Sequence, residues 1–112
     1  MERSGRLPVR EPQLMALPPL GQLGPALRQL RRLRGLRQRQ LAELTGFARS
    51  RVSQYERGRT DPTVSSLWCH LDALGASLSD LERIMREREA DLEEAERERE
   101  SVGRLVDWLL DH

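Results

Sequence analysis

Arginine and glutamine side chains follow one another closely between residues 37 and 59, in the segment RQRQLAELTGFARSRVSQYERGR. A guanidinium group can pair with guanine or phosphate through two hydrogen bonds, and a glutamine amide can pair in the same way with adenine. The two histidines and the one cysteine have no partners at catalytic or metal-ligand spacing, and no glycine-rich phosphate loop is present. The sequence therefore predicts contact with nucleic acid, and no catalytic residue, cofactor or metal.

Charge is divided unevenly along the chain. Residues 1–60 carry 13 arginines against 4 acidic residues, a net charge of +9, whereas residues 61–112 carry 6 arginines against 14 acidic residues, a net charge of −8. This asymmetry predicts one half that faces a polyanion and another that faces solvent or a protein partner. The complete absence of lysine agrees with recognition of phosphate and guanine, but also with a GC-rich coding bias.

Length and cysteine content limit the class of protein. A chain of 112 residues holds one small domain with appendages. Cys69 is the single cysteine and cannot form an internal disulfide, and no apolar run approaches the roughly 20 residues of a membrane span. We therefore expect a cytoplasmic protein without membrane contact.

Helical periodicity predicts an all-α chain of five helices. The first follows the spacing of Leu23, Leu27 and Leu30 and ends near Gly35. Two short helices, at about 38–45 and 49–57, follow it with a glycine between them. The fourth begins after the cap Thr63, ends at Gly75 and carries one apolar face, formed by Val64, Leu67, Leu71 and Leu74.

The fifth helix is predicted to start at a capping box, Ser79 to Glu82, and to continue far along the chain. Positions spaced alternately by three and four form an apolar seam typical of a coiled coil. Gly103 lies within this helix, so the helix is expected either to continue or to break there and fold back. We assign self-association to the seam and to its C-terminal end: Leu81, Met85, Leu92, Ala95, Val102, Val106, Trp108 and Leu109. A solvated helix that associates with nothing is the alternative.

These patterns divide the chain into three parts. Residues 1–22 contain four prolines and are predicted to be a flexible arm, residues 23–86 a folded domain and residues 87–112 a helical dimerisation segment. Arg3, Arg6 and Arg10 suggest an arm that follows the minor groove of DNA. In the alternative, Met15 is the true start and the tail is only a leader.

The stretch LRGLRQRQLAELTGFARSRVSQYERGRTDPTVSSL, followed by ALGASLSDL, resembles the phage-repressor-like helix-turn-helix family of the Cro/XRE type. The resemblance covers Leu30 to Leu81, about half of the chain. It implies a five-helix domain that lays one helix across the DNA backbone and places the next in the major groove.

The resemblance also implies roles for individual residues. It places base contacts at the start of the third helix and on its next exposed turn, which correspond to Arg49, Ser50, Arg51 and Gln54. It places phosphate contacts at the start of the second helix and just after the third, which correspond to Arg37, Gln38, Arg39, Arg57 and Arg59. Glu56 is expected to be an internal partner of an arginine in the first two helices.

Two positions depart from the family pattern. Relatives commonly have serine or threonine as the caps of the second and third helices, whereas this chain has Arg37 and Ala48. Each missing side-chain cap costs about 1 kcal/mol unless water or a phosphate satisfies the free amides. Trp68, Cys69 and Trp108 are expected to serve core or interface packing, not a ligand or redox site.

The sequence thus predicts a DNA-binding regulator that acts as a homodimer on double-stranded DNA, with repression likelier than activation. Two alternatives stay open. The chain could be the antitoxin of a toxin–antitoxin pair, with its C-terminal segment covering a toxin, or an adaptor whose acidic helix binds another protein. Enzyme activity is the class with the least support.

Overall fold

The computed structural model describes residues 17–112, and within them the chain forms five α-helices and no strand. The arm predicted for residues 1–22 lies largely outside this range. Its last three residues, Leu20–Gln22, form a 3-10 turn that contacts the fifth helix. The α-helices are α1 (Leu23–Leu33), α2 (Gln38–Thr45), α3 (Arg49–Glu56), α4 (Val64–Leu74) and α5 (Leu78–Asp111).

The first four helices have nearly the bounds that their breakers predicted. Gly46 ends α2 with φ 78°, a left-handed conformation that favours glycine, and turns the chain towards α3. Thr63 caps α4 by accepting a hydrogen bond from the Ser66 amide. Arg34 binds the other end of α4, because its guanidinium donates to the carbonyl oxygens of Leu74 and Gly75 at 2.7 and 3.0 Å.

All five helices contribute to one core. Leu27, Leu41 and Val52 have no exposed surface, and α5 closes the core from the side of α1. Burying a side chain of this size stabilises the fold by about 1.5–3 kcal/mol. The buried apolar residues are Ala26, Leu27, Leu30, Leu41, Ala42, Val52, Tyr55, Leu71, Leu74, Leu81, Ile84 and Met85.

Two local predictions about α4 and α5 were wrong. The capping box of α5 uses Ser77 and Asp80, which exchange hydrogen bonds of 3.0 and 2.9 Å, whereas Ser79 already lies inside the first turn. Val64 is 83% exposed, because it is the first residue of α4 and projects beyond the core that the later residues of that helix reach.

Helix α5 is a single element of 34 residues that runs through Gly103 without a break, so the chain does not fold back there. At about 1.5 Å per residue it is about 50 Å long. Only its N-terminal part, where Leu81, Ile84 and Met85 are buried, belongs to the domain. No helix within residues 17–112 is long and apolar enough to cross a membrane.

Candidate nucleic-acid interface

Helix α3 separates a buried face from an exposed face. Val52, Tyr55 and Glu56 are buried, and Val52 has no exposed surface at all. Arg49, Ser50 and Gln54 are exposed. Ser50 and Gln54 lie one helical turn apart and share a face that is free to approach a base edge, and Arg49 precedes them at the N-terminus of the helix.

The N-termini of α2 and α3 border one hollow that is lined by arginine and glutamine: Arg37, Gln38, Arg39, Gln40 and Arg49. Neither Arg37 nor Ala48 caps its helix through a side chain, as the sequence predicted. Only half of a capping box is formed in α2, where the Gln40 side chain accepts a 2.7 Å hydrogen bond from the Arg37 amide. Free amides and guanidinium groups therefore converge on one side of the domain, a suitable environment for an anion.

Glu56 is buried behind α2 and is linked to this hollow through Gln38. Its carboxylate accepts two hydrogen bonds from Arg31, at 2.7 and 2.9 Å, and the pair is almost completely buried. Gln38 donates to the same carboxylate at 3.1 Å. The predicted role of Glu56 as an internal partner of an arginine in the first two helices is confirmed, and the ion pair positions the glutamine that opens α2.

Arg51, which the sequence grouped with the base contacts, is an exposed residue whose guanidinium contacts other side chains of the domain. Its guanidinium donates to the Tyr55 hydroxyl at 2.7 Å and to Ser66 Oγ at 2.6 Å, and it lies 4.1 Å from the centre of the Phe47 ring. Burial raises the pKa of Tyr55, but the hydrogen bonds with Ser66 and Arg51 and the charge of Arg51 outweigh it and lower the pKa below 10.0. In this structure the Arg51 guanidinium joins α3 to α4, so it is less free than the side chains of Arg49 and Gln54 to reach a base.

The other arginines of this region are uncommitted. Arg39, Arg49, Arg57 and Arg59 are exposed, and within residues 17–112 their guanidinium groups make no hydrogen bond or ion pair. Arg57 follows α3 directly, and Arg59 follows the turn at Gly58. The chain therefore uses Arg31, Arg34 and Arg51 to hold the fold and leaves this second set open to solvent.

The residues assigned to self-association fall into two groups. Leu81 and Met85 are each 3% exposed and belong to the core of the domain, so they are not free to meet another chain. Ala95 is half-buried. Large apolar side chains farther along α5 are about half exposed: Leu92, Val102, Val106, Trp108 and Leu109.

Three residues that matter to this geometry were not singled out from the sequence. Arg31 lies on α1 at a position that periodicity does not separate from its arginine neighbours. A Cβ on Gly24 would lie 2.6 Å from the Tyr55 carbonyl oxygen and 2.7 Å from that of Glu56, so glycine lets α1 meet the end of α3. In the sequence, a glycine inside a helical pattern was the only available signal for the close approach at Gly24. The third residue, Arg34, binds the end of α4.

Histidine and cysteine take structural positions in the fold. His70 is fully buried beside Phe47 and Tyr55, and Cys69 is partly buried near the Thr45 carbonyl oxygen. No group of three or more histidine, cysteine or acidic residues in the described part of the chain is arranged to hold a metal ion.

Comparison with known proteins gives a consistent result. The chain is 44% identical over 46 residues to the HTH-type transcriptional regulator SutR of Escherichia coli, covering 41% of this chain and 26% of SutR. It is 40% identical over 55 residues to the HTH-type transcriptional regulator y4dJ of Sinorhizobium fredii, covering 49% of this chain and 71% of that protein. This chain therefore spans about a quarter of the length of SutR.

A solved structure extends the likeness beyond the helix-turn-helix. The clp gene regulator ClgR of Corynebacterium glutamicum matches with a TM-score of 0.61 and 31% identity, over 77% of this chain and 87% of the other. The family model HTH_3, Helix-turn-helix, matches residues 27–83, which include α2 and α3 and the whole hollow between them. The chain belongs to this helix-turn-helix family, of the Cro/XRE type, whose members are DNA-binding transcription regulators.

Proposed function

We propose that this protein is a transcription repressor that binds a palindromic operator as a homodimer. The observation that carries the proposal is the division of the arginines around α2 and α3. Those that hold the fold are paired internally, while Arg39 and Arg49 face solvent beside two helix N-termini that lack side-chain caps, and Arg57 and Arg59 face solvent after the end of α3. Unpaired positive charge next to free backbone amides is a binding surface for phosphate.

Roles within this surface follow from position and residue type. Arg49 and Gln54, with Ser50 between them, would read base edges, because guanidinium and amide groups can pair with guanine and adenine. Gln38 would bind a phosphate with the part of its amide that Glu56 leaves free. Arg37, Arg39, Arg57 and Arg59 would bind the backbone on either side. Bound protein would block access of polymerase to the same DNA.

A dimer is proposed because one such domain makes too few base contacts to select a site among a genome's competitors, and joining two half-sites multiplies the discrimination. Two α3 helices would then enter major grooves one helical turn, or a multiple of it, apart. The pairing surface proposed is the exposed apolar part of α5 beyond Arg88.

Selected DNA and matched substitutions test the base-reading proposal. Arg49→Ala or Gln54→Ala should cost about 1–3 kcal/mol on the selected operator and relax the preference at one base pair per half-site. The control Arg59→Ala should weaken operator and random DNA alike. Equal losses on both DNAs for all three variants would contradict the assignment of the recognition surface.

Shortening the chain tests the dimer separately. A protein that ends after Arg86 keeps the buried residues of α5 and should fold, sediment as a monomer and bind the operator at least about tenfold more weakly. A shortened protein that stays dimeric with full operator affinity would place the pairing surface within residues 23–86, where Val64, Trp68 and Leu78 are exposed. The C-terminal part of α5 would then serve another protein, such as a toxin.

A further inference from the structure

The C-terminal part of α5 projects from the domain as a free helix. Arg88 marks its beginning, because its guanidinium donates to Gln22 at 3.1 Å and to Gln29 at 2.9 Å and so ties α5 to α1 and to the preceding turn. Residues 89–112, here called the overhang, come after this contact, and the last 12 residues of the chain are all exposed. At about 1.5 Å per residue the overhang is about 36 Å long.

The exposed apolar stripe of the overhang continues the buried face of the same helix. Leu81, Ile84, Met85 and Arg88, spaced by three and four, face the domain. The same spacing leads on to Leu92, Ala95, Arg99, Val102, Val106 and Leu109. A second helix that packs on the stripe therefore lies on the same side of α5 as the domain, which covers that side nearer the N-terminus of α5.

This shared face restricts how two copies can pair. In a parallel pair the N-terminal part of the partner's α5 would overlap with α1, and the two domains would occupy the same volume. In an antiparallel pair the two domains lie at opposite ends of the coiled coil. We propose that the overhangs of two copies pair as an antiparallel two-helix coiled coil, an inference that rests on the dimer of the proposed function and specifies its geometry.

Charge favours the same arrangement. Residues 89–100 carry seven acidic residues and two arginines, a net charge of −5, whereas residues 101–112 carry two acidic residues and one arginine, a net charge of −1. Parallel pairing places −5 beside −5, and antiparallel pairing places −5 beside −1. Like charges across a helix pair are destabilising, so the antiparallel arrangement has the smaller repulsion.

Side-chain size sets the register. When Leu92 lies opposite Leu109 of the second copy, Ala95 lies opposite Val106 and Arg99 opposite Val102. Each small or charged side chain then meets a large apolar one. In a parallel pair Arg99 would meet its own counterpart in the seam, and two alanines would leave a void. The antiparallel register also ends where the partner's domain begins, since His112 falls opposite residue 89.

Cysteine pairing in the full-length protein distinguishes the two arrangements. Cys69 is first replaced by serine, and Leu92→Cys and Leu109→Cys are made separately in that background. In the antiparallel register, the thiol introduced at position 92 of one chain lies opposite the thiol introduced at position 109 of the other. The two copies of position 92, by contrast, are about 25 Å apart along the axis. A disulfide needs Cα atoms within about 7 Å.

The expected result is a cross-linked dimer when the two variants are mixed and oxidised, and none from either variant alone. Efficient cross-linking of Leu92→Cys with itself would overturn the antiparallel proposal and leave the dimer intact. Dimeric sedimentation without any cross-link would place the pairing surface elsewhere and overturn it too. Monomeric sedimentation of the Cys69→Ser parent would overturn the dimer itself.

Discussion

His70 should lower the stability of the fold, so the His70→Leu variant should be more stable than the wild-type protein. The imidazole has no exposed surface, and within the described residues neither ring nitrogen has a hydrogen-bond partner. A buried polar group without a partner costs about 1–3 kcal/mol. Leucine restores apolar contact but loses the ring contacts with Phe47 and Tyr55, at centroid distances of 6.4 and 6.1 Å, worth about 0.5–1.5 kcal/mol. We expect a gain of about 1 kcal/mol in the free energy of unfolding at pH 7.5.

The same histidine should make stability depend on pH. Burial lowers the pKa of His70 below 6.5; the charge of Glu56 opposes this effect and that of Arg31 adds to it. The unfolded chain therefore binds a proton near pH 6.5 that the folded protein does not bind. Well above pH 6.5 the ring is neutral in both states and does not make stability depend on pH. As the pH falls from there towards the lowered pKa, the unfolded chain is protonated first and the free energy of unfolding decreases.

Urea denaturation followed by circular dichroism, at pH 5.5 and at pH 7.5, measures both effects. Wild-type protein should lose stability between the two values, and His70→Leu should lose less. His112→Leu is the matched control, because His112 is exposed at the C-terminus and its contacts with Trp108 lie outside the core, so its replacement should change the stability little. A His70→Leu protein less stable than wild type at pH 7.5, with an unchanged pH dependence, would refute the reasoning.

Three further predictions concern the charged residues. If each subunit of a dimer neutralises three or four phosphates, operator affinity should fall by about 10³ or more between 50 and 200 mM salt. Fluorescence anisotropy measures this change, and a salt-independent affinity would contradict DNA binding through this surface. Glu56→Ala should cost about 3–5 kcal/mol in urea denaturation because it leaves the charge of Arg31 buried without a carboxylate partner. The apolar pair Arg31→Met with Glu56→Leu should recover most of the loss, and an equal loss in both proteins would contradict this role of the ion pair. Arg51→Ala should lower the free energy of unfolding by about 1–2 kcal/mol and leave the operator preference at every base pair unchanged, and a lost preference without a loss of stability would return Arg51 to the base contacts.

Local signals in the sequence predicted most of the helices. Gly46 and Gly75 end α2 and α4 because a left-handed residue stops a helix whatever surrounds it, so those bounds could be read directly. The start of α5 was predicted two residues too late, because Ser79 with Glu82 has the same spacing of a cap and an acidic residue as Ser77 with Asp80. In the structure the first pair forms the box.

Tertiary contacts explain the remaining differences. Arg51 has the residue type and position of a base contact, and only the folded chain brings Ser66, fifteen residues away, within reach of its guanidinium. Leu81 and Met85 fit a coiled-coil seam as well as they fit a core, because both need the same spacing on one face of a helix. Sequence periodicity identifies the apolar face but not what covers it.

The contact at Gly24 determines the position of α3, the proposed recognition helix. An alanine there would have to move the α3 carbonyl oxygens from 2.6 Å to the 3.4 Å of ordinary contact, a shift of about 0.8 Å. Helix α3 is only eight residues and about 12 Å long, so a push at its C-terminal end, pivoting on buried Val52, would displace Arg49 in the opposite direction by about 0.5 Å or more. Hydrogen bonds to a base edge tolerate about that error and little beyond it. A residue of α1 that would touch no DNA thus limits the precision with which this protein could discriminate one base pair from another.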